Sequence, residues 1–242
     1  MTWNIQGSKE TDLGRVAEIV SDAATDAVVL QEVRRPQADR LADELGMASV
    51  WHEKHHPLRP FRPGRAEGAA ILTPHTLLAT DHARVSDASA LHSYRRRIVQ
   101  WGVVERPNRS SCRVVNVHLS PHDLAAERRV EAERIAELVD GFGGRHPVVV
   151  AGDFNDAGTS EIVDILPGIE VFAPPPTNPS DDPIARIDHV LVPPSASRTS
   201  VSAPSGGPAW SALSDHLPLT VRFTLVETMT PAIPSGPERR LS

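Results

Sequence analysis

The sequence predicts an α/β sandwich, with two β-rich sheets packed face to face and helices outside. Three observations lead there. Strand-like runs outnumber helical ones. Two of those runs, Ala27-Val28-Val29-Leu30 and Val148-Val149-Val150-Ala151, are apolar without alternation, the pattern of strands covered on both faces. The amphipathic helical segments are too few for the strict strand–helix alternation of a doubly wound sheet. At 242 residues, 40% hydrophobic and 23% charged, the chain can bury a substantial core. No Gly/Ser linker, charge block or repeat divides it, so one domain over residues 1–226 is expected. A disordered tail over 227–242 should follow, marked by Pro231, Pro234, Gly236, Pro237 and Arg239-Arg240.

The elements are expected in this order. Thr2-Trp3-Asn4-Ile5 reads as the end of a first strand whose opening residues are missing. After Asp12, a natural N-cap, Leu13, Val16, Ala17 and Val20 share one helical face. The apolar run ending at Leu30 is a central strand, and strands follow at 69–72, 98–105 and 113–118, separated by turns rich in Pro, Asp, Asn and Gly. Ser120-Pro121 opens a second helix, lined by Val130, Ile135, Leu138 and Val139 and closed near Gly141. The run from Val148 is the other central strand, with final strands at 187–192 and 217–225.

Charge and cysteine content narrow the function. A formal charge of -6 argues against a broad basic surface for nucleic acid, which must neutralise many phosphates. The single Cys112 cannot form an internal disulfide, no apolar run approaches the ~20 residues that span a bilayer, and Met1 opens no basic-then-apolar leader. A cytoplasmic monomer is therefore expected, with secretion left open by the clipped look of the first strand.

The polar residues that end these apolar runs carry the chemistry. Asn4, Glu32, His118 and Asp153 each close a strand, where a rigid backbone delivers the side chain to a common rim. Asn155 lies two residues past Asp153, Asp188 stands in Ile187-Asp188-His189, and Ser214-Asp215-His216 precedes the last strand. Singly, each has a structural reading, such as a turn for Asp153 and Asn155 or a core histidine for His118. Together they form an ordered set.

The segments Trp3-Asn4-Ile5, Leu30-Gln31-Glu32-Val33, Val115-Asn116-Val117-His118-Leu119, Gly152-Asp153-Phe154-Asn155, Arg186-Ile187-Asp188-His189 and Ser214-Asp215-His216 resemble, in order and spacing, the endonuclease/exonuclease/phosphatase superfamily. That superfamily includes deoxyribonuclease I, apurinic endonucleases, sphingomyelinases and inositol polyphosphate phosphatases. The resemblance implies a four-layer α/β sandwich, two packed mainly antiparallel β-sheets flanked by helices. It implies a divalent-metal-dependent hydrolase of phosphate esters, using Mg2+ with Mn2+ as an alternative. Glu32 would be the first metal ligand, and Asn4 and Asp215 would support the metal or its waters. Asp153 would activate the attacking water, and Asn155 would fix Asp153 and a phosphoryl oxygen. His216, held by Asp188, would stabilise the transition state, with His118 as a second donor to the phosphate and Glu67 orienting His118 on the substrate side.

The basic stretch 51–65, with Lys54, Arg59, Arg62 and Arg65 against Glu53, reads as a polar loop that steers an anionic substrate. His52, His55 and His56 lack the acidic or cysteine partners of a zinc spacing. Of Arg95, Arg96 and Arg97, only alternate members can face a substrate. Substrate identity is open among nucleic acid, phospholipid headgroup, inositol phosphate and small phosphodiester. A secreted nuclease or sphingomyelinase-like enzyme and a non-catalytic binding relative are the competing classes.

Overall fold

The computed structural model describes residues 1–55, 65–87, 96–108, 110–121, 123–157, 160–168 and 174–225. Eleven strands run in chain order: β1 (Thr2–Asn4), β2 (Val28–Arg34), β3 (Ala48–His55), β4 (Glu67–Thr73), β5 (Thr76–Arg84), β6 (Ile98–Glu105), β7 (Ser111–His118), β8 (Val148–Asp153), β9 (Asp188–Leu191), β10 (Ala196–Ser202) and β11 (Thr220–Leu225). Helices α1 (Leu13–Ala23), α2 (Arg35–Leu45), α3 (Ala125–Asp140), α4 (Ser160–Ile165) and α5 (Pro208–Ser211), with a 3-10 turn at Gly7–Lys9, complete the described elements.

The strands form a four-stranded sheet, β1-β2-β4-β3, and a five-stranded sheet, β5-β6-β7-β8-β9. Only the β1–β2 and β7–β8 pairings are parallel; the other pairings in these sheets are antiparallel. The β10–β11 pair continues the first sheet, because Thr2 and Leu219 exchange backbone hydrogen bonds of 2.9 and 3.0 Å. These are the mainly antiparallel sheets of an α/β sandwich.

Three clusters of buried side chains explain why the central strands are apolar throughout. Val28, Leu30 and Val33 pack with Val16, Val20 and Leu41 under α1 and α2. Val117 and Val150 pack with Ala132 and Ile135 under α3. Between the sheets, Val29 and Ile71 meet Val104, Val114 and Ala151. Neighbours on one strand thus serve different layers, so neither face can be polar. A polar chain also crosses the sheet–sheet interface. Asn116 of β7 donates to the Leu30 and Ala70 carbonyls of the first sheet, both at 3.0 Å, and its Oδ1 accepts from Gln31 Nε2 at 2.8 Å. Gln31 Nε2 also donates to Thr2 Oγ1 at 3.1 Å.

The first helix begins where expected, with the Asp12 side chain accepting from Arg15 N at 3.2 Å. The second expected helix begins at Ala125, not Ser120, and Val130 is 40% exposed. The buried stripe of α3 runs through Arg128, Ala132, Ile135 and Val139, and Val130 lies about 140° round the helix from Ile135. Helices α2, α4 and α5 and strands β3, β5 and β10 were not expected. All three strands lie at sheet edges, where polar side chains hide the apolar signal. Residues 51–55 are therefore strand rather than loop. The supposed tail lies outside the described residues, and no described helix is long and apolar enough to cross a membrane.

Candidate active site

The strand ends expected to share a rim do meet. Parallel pairing places His118 directly beside Asp153 at the ends of β7 and β8, and antiparallel pairing places Asp188 opposite Asp153. Gly152 permits the close approach, since a Cβ there would lie 1.9 Å from the Val117 carbonyl oxygen. From the facing sheet, Asn4 at the end of β1 donates its Nδ2 to Asp153 Oδ2 at 3.1 Å. The other carboxylate oxygen of Asp153 accepts from Asn155 N at 2.9 Å, so both oxygens are aimed. Asn155 holds a left-handed conformation, φ 52°, and its amide donates to the Leu119 carbonyl at 3.0 Å. Asn155 thereby ties the turn after β8 to the end of β7.

The Ser214-Asp215-His216 loop is pinned to β1. Ser214 Oγ donates to the Asn4 carbonyl at 2.6 Å and accepts from His216 N at 3.1 Å, while Trp3 Nε1 donates to the His216 carbonyl at 2.8 Å. This fixes the imidazole. Its Nδ1 bonds Asp188 Oδ2 at 2.9 Å, and its Nε2 faces Asp153 Oδ2 at 3.7 Å. Thr177 Oγ1 donates to the same Asp188 oxygen at 2.5 Å, which keeps that carboxylate from rotating. Burial disfavours a charged His216, but Asp188 and then Asp153 outweigh it and raise its pKa to about 10. The ring is an imidazolium at neutral pH, with its proton on Nε2 turned toward Asp153. Burial raises the Asp153 pKa to about 6, against the lowering effect of His216.

Glu32 arrives differently. It is the extra residue of a bulge in β2, where register shifts between Gln31 and Val33, and its φ is 53°. A left-handed non-glycine residue costs about 1–2 kcal/mol and persists only where the surroundings impose it. The bulge turns the carboxylate toward His118, whose Nε2 lies 3.8 Å from Oε1, and no described residue donates a hydrogen bond to it. His118 Nε2 also lies 3.7 Å from Asp153 Oδ2. Burial, followed by Lys54 and Arg97, holds the His118 pKa well below its usual value, so the ring is neutral. Its Nδ1 is buried with no hydrogen-bond partner among the described residues.

Glu67 does not orient His118. It opens β4 opposite His55, and its Oε2 lies 3.7 Å from His55 Nε2 and 4.0 Å from Lys54 Nζ. Asp215 stands beside the site, its Oδ1 3.4 Å from Ser214 Oγ, close enough to favour the charged form of His216. Arg59 and Arg62 lie outside the described residues, as do His56 and Arg95. His52 stacks on His82 with ring centroids 4.1 Å apart, an arrangement unlike a zinc site.

Two buried charges near the site were missed by sequence reasoning. Lys54 was taken for a loop cation, yet it is 4% exposed. Glu131, on the buried stripe of α3, accepts from Ser120 N at 2.8 Å and Ser120 Oγ at 2.7 Å, anchoring the segment after His118. The available signal for Glu131 was its place on the helical face shared by Arg128, Ala132, Ile135 and Val139.

The donor set suits a hard cation. Asp153, Asp188 and His216 place ligand-type atoms within 4.8 Å of one another, but the Asp188–His216 hydrogen bond occupies the facing atoms of that pair. Among the described residues, other oxygen donors are Glu32, which accepts no hydrogen bond, Asp215, whose Oδ1 accepts only from Ser214 Oγ at 3.4 Å, and Asn4 Oδ1, which accepts from Gln6 N at 3.1 Å and keeps a second lone pair. An all-oxygen set with one or two carboxylates is the environment magnesium prefers.

Comparison with known proteins agrees with this geometry. The model of the Endonuclease/Exonuclease/phosphatase family matches residues 1–216. The Escherichia coli protein YbhP, described as uncharacterized, is 27% identical over 233 residues, covering 88% of each chain. A functionally unknown conserved protein from Enterococcus faecalis superposes with a TM-score of 0.75 at 19% identity, covering 93% of this chain and 98% of that one. The mannosyl-6-phosphatase of Bacteroides thetaiotaomicron superposes at 0.68 with 18% identity, covering 93% and 98%.

Proposed function

The chain belongs to the endonuclease/exonuclease/phosphatase family, and from that premise we propose that it is a magnesium-dependent hydrolase of phosphate esters acting through Asp153, His216 and Glu32. The observation that carries this reading is the constellation at one rim. An aimed carboxylate, Asp153, lies 3.7 Å from a charged imidazole, and the Glu32 carboxylate, which accepts no hydrogen bond among the described residues, lies 3.8 Å from His118.

Hydrolysis needs a water aimed in line with the leaving oxygen and positive charge where the phosphoryl oxygens gather density. Glu32 would be the principal ligand of a magnesium ion, with Asn4 and Asp215 supporting it or its waters. When bound, the ion supplies neutralisation of phosphoryl charge, and manganese could replace it. Asp153 would orient and deprotonate the attacking water. A base with a pKa of about 6 suits that role near neutral pH, because it is ionised yet still basic. Asn4 Nδ2 and Asn155 N fix its two oxygens, so the orientation of the carboxylate toward a water is set in advance. His216, held protonated by Asp188, would donate from Nε2 to a phosphoryl oxygen as charge develops. His118, neutral and on the opposite flank of Asp153, would contact a phosphoryl or leaving oxygen, and Asn155 would contact the phosphate by its side chain. The substrate is a phosphate ester of the kinds carried by nucleotides, nucleic acids, sugars or phospholipid headgroups, acted on by a monomer.

Turnover of bis-p-nitrophenyl phosphate and p-nitrophenyl phosphate with magnesium, manganese or chelator tests this reading. Asp153→Ala and His216→Ala should each lower kcat by about a hundredfold or more, since both act mainly in the transition state. Glu32→Gln should move the magnesium titration to higher concentration. Near-normal rates in all three variants, or full activity in chelator, would remove the proposal.

A further inference from the structure

Lys54 and Glu32 are delivered by matching devices. Strand β4 lies between β2 and β3, and each neighbour bulges against the same residue. Register shifts between Gln31 and Val33 on one side and between Glu53 and His55 on the other, with Gly68 pairing Val33 and Glu53. Glu32 and Lys54 are the extra residues of the two bulges. Bulges re-aim side chains, and here both re-aimed groups reach the same end of the sandwich. Gly68 allows the pinch, since a Cβ there would lie 2.1 Å from the His52 carbonyl oxygen and 2.6 Å from the Trp51 ring.

The Lys54 ammonium is expensive where it sits. The residue is 4% exposed, and among the described residues it donates no hydrogen bond. Its one ion pair among the described residues, with Glu67, is loose at 4.0 Å. Burying an ammonium in this state costs several kcal/mol unless a partner compensates. Glu67 does not suffice. Burial lowers the Lys54 pKa to about 8 and raises that of Glu67, so both partners shift toward neutrality rather than toward the ion pair. Glu32, Glu67 and Asp153 favour the charged form of Lys54, and Lys54 in turn helps to hold His118 neutral, while the paired bulges bring Glu32 and Lys54 to the two sides of Gly68. A second buried cation, Arg97, is favoured in its charged form by the same Asp153 and Glu32 and also helps to hold His118 neutral.

We propose that the Lys54 ammonium, backed by Arg97, receives a non-bridging oxygen of a terminal phosphate and makes the site selective for phosphomonoesters over phosphodiesters. The proposal rests on the hydrolase reading above and adds the substrate class to it. A monoester is largely dianionic at neutral pH, its second pKa being about 6, whereas a diester carries one charge and one more carbon substituent. A buried, hydrogen-bond-hungry cation rewards the extra charge through a charge-assisted bond. It rewards an esterified oxygen much less. Lysine suits this role as a point charge on a flexible stem that follows the oxygen as the phosphoryl group moves.

The experiment compares wild type with Lys54→Met, which keeps the bulk of the side chain, and Lys54→Arg, which keeps its charge. kcat/KM is measured for p-nitrophenyl phosphate and bis-p-nitrophenyl phosphate, and inorganic phosphate binding is followed by calorimetry. Wild type should favour the monoester. In Lys54→Met the monoester-to-diester ratio should fall at least tenfold and phosphate binding should weaken at least tenfold, with Lys54→Arg between the two. An equal fall on both esters, an unchanged ratio, or phosphate binding indifferent to Lys54 would overturn the proposal. If wild type turns over neither ester while phosphate binding still requires Lys54, the anion contact stands and the hydrolase reading falls.

Discussion

The contact between Asp188 and His216 fixes a proton, and its consequences can be measured without substrate. The pKa of His216 is raised from 6.5 to about 10. A raised pKa means that the folded state binds the proton more tightly than the unfolded chain. The stability this supplies is complete below about pH 6.5 and fades as pH rises through about 10. Asp153, raised from 3.8 to about 6, acts with the same sign in a lower window, so it supports folding in acid and works against it at neutral pH. In chelator, the wild-type Tm should decline between pH 7 and 10, and Asp188→Asn should flatten that decline and move the His216 titration to lower pH by NMR. An imidazole that titrates normally in wild type would contradict the assignment. At this scale the sequence was informative wherever a strand end met a motif, as with Glu32, Asp153 and His216. It was misleading for Lys54 and Glu67. Lys54 is buried because a bulge turns it inward, and nothing local in the sequence distinguishes a bulged edge strand from a polar loop; Glu67 pairs with the Lys54–His55 end of that strand, so its neighbours follow from the same hidden pairing.

Among the elements, the twin bulges flanking β4 are the feature on which the site geometry most depends. Gly68→Ala would drive a methyl group into the His52 carbonyl and the Trp51 ring. Stability should fall by at least about 2 kcal/mol, as expected for overpacking against backbone. Metal activation should weaken as well, because Glu32 would lose its aim. Denaturant unfolding together with a magnesium titration checks this, and a variant with wild-type values in both would show that the pinch is dispensable. The legibility of elements followed their place in a sheet. Central β2 and β8 announced themselves because helices and the facing sheet cover them on both sides. The edge strands β3, β5 and β10 did not, since half their residues face water. Helix α2 was hidden by its narrow apolar stripe, Ala38, Leu41 and Ala42.

Across the whole molecule, the site is divided between two sheets. Asn4 and Glu32 come from one, and His118, Asp153 and Asp188 from the other. Their mutual distances depend on how the sheets are registered, and Asn116 is the main polar tie between them. Asn116→Ala would leave the Leu30 and Ala70 carbonyls without that donor, at a cost of about 2–4 kcal/mol for two buried acceptors. It should also lower kcat, although Asn116 lies within the sheet interface rather than at the rim. A variant that loses stability but retains full kcat would show that registration is held by apolar packing alone. The sandwich architecture was foreseeable because apolar runs and motif order both demand it. The inter-sheet polar chain was not, since Gln31 and Asn116 look like ordinary strand residues until the second sheet lies over them.

The backbone at Glu32 has one last implication. On the proposed reading, a left-handed glutamate is kept because its carboxylate holds the metal, and a descendant freed from that duty would gain by relaxing the kink. Glycine or asparagine at position 32 in a sister protein would therefore be a fingerprint of abandoned chemistry, detectable before any assay is run.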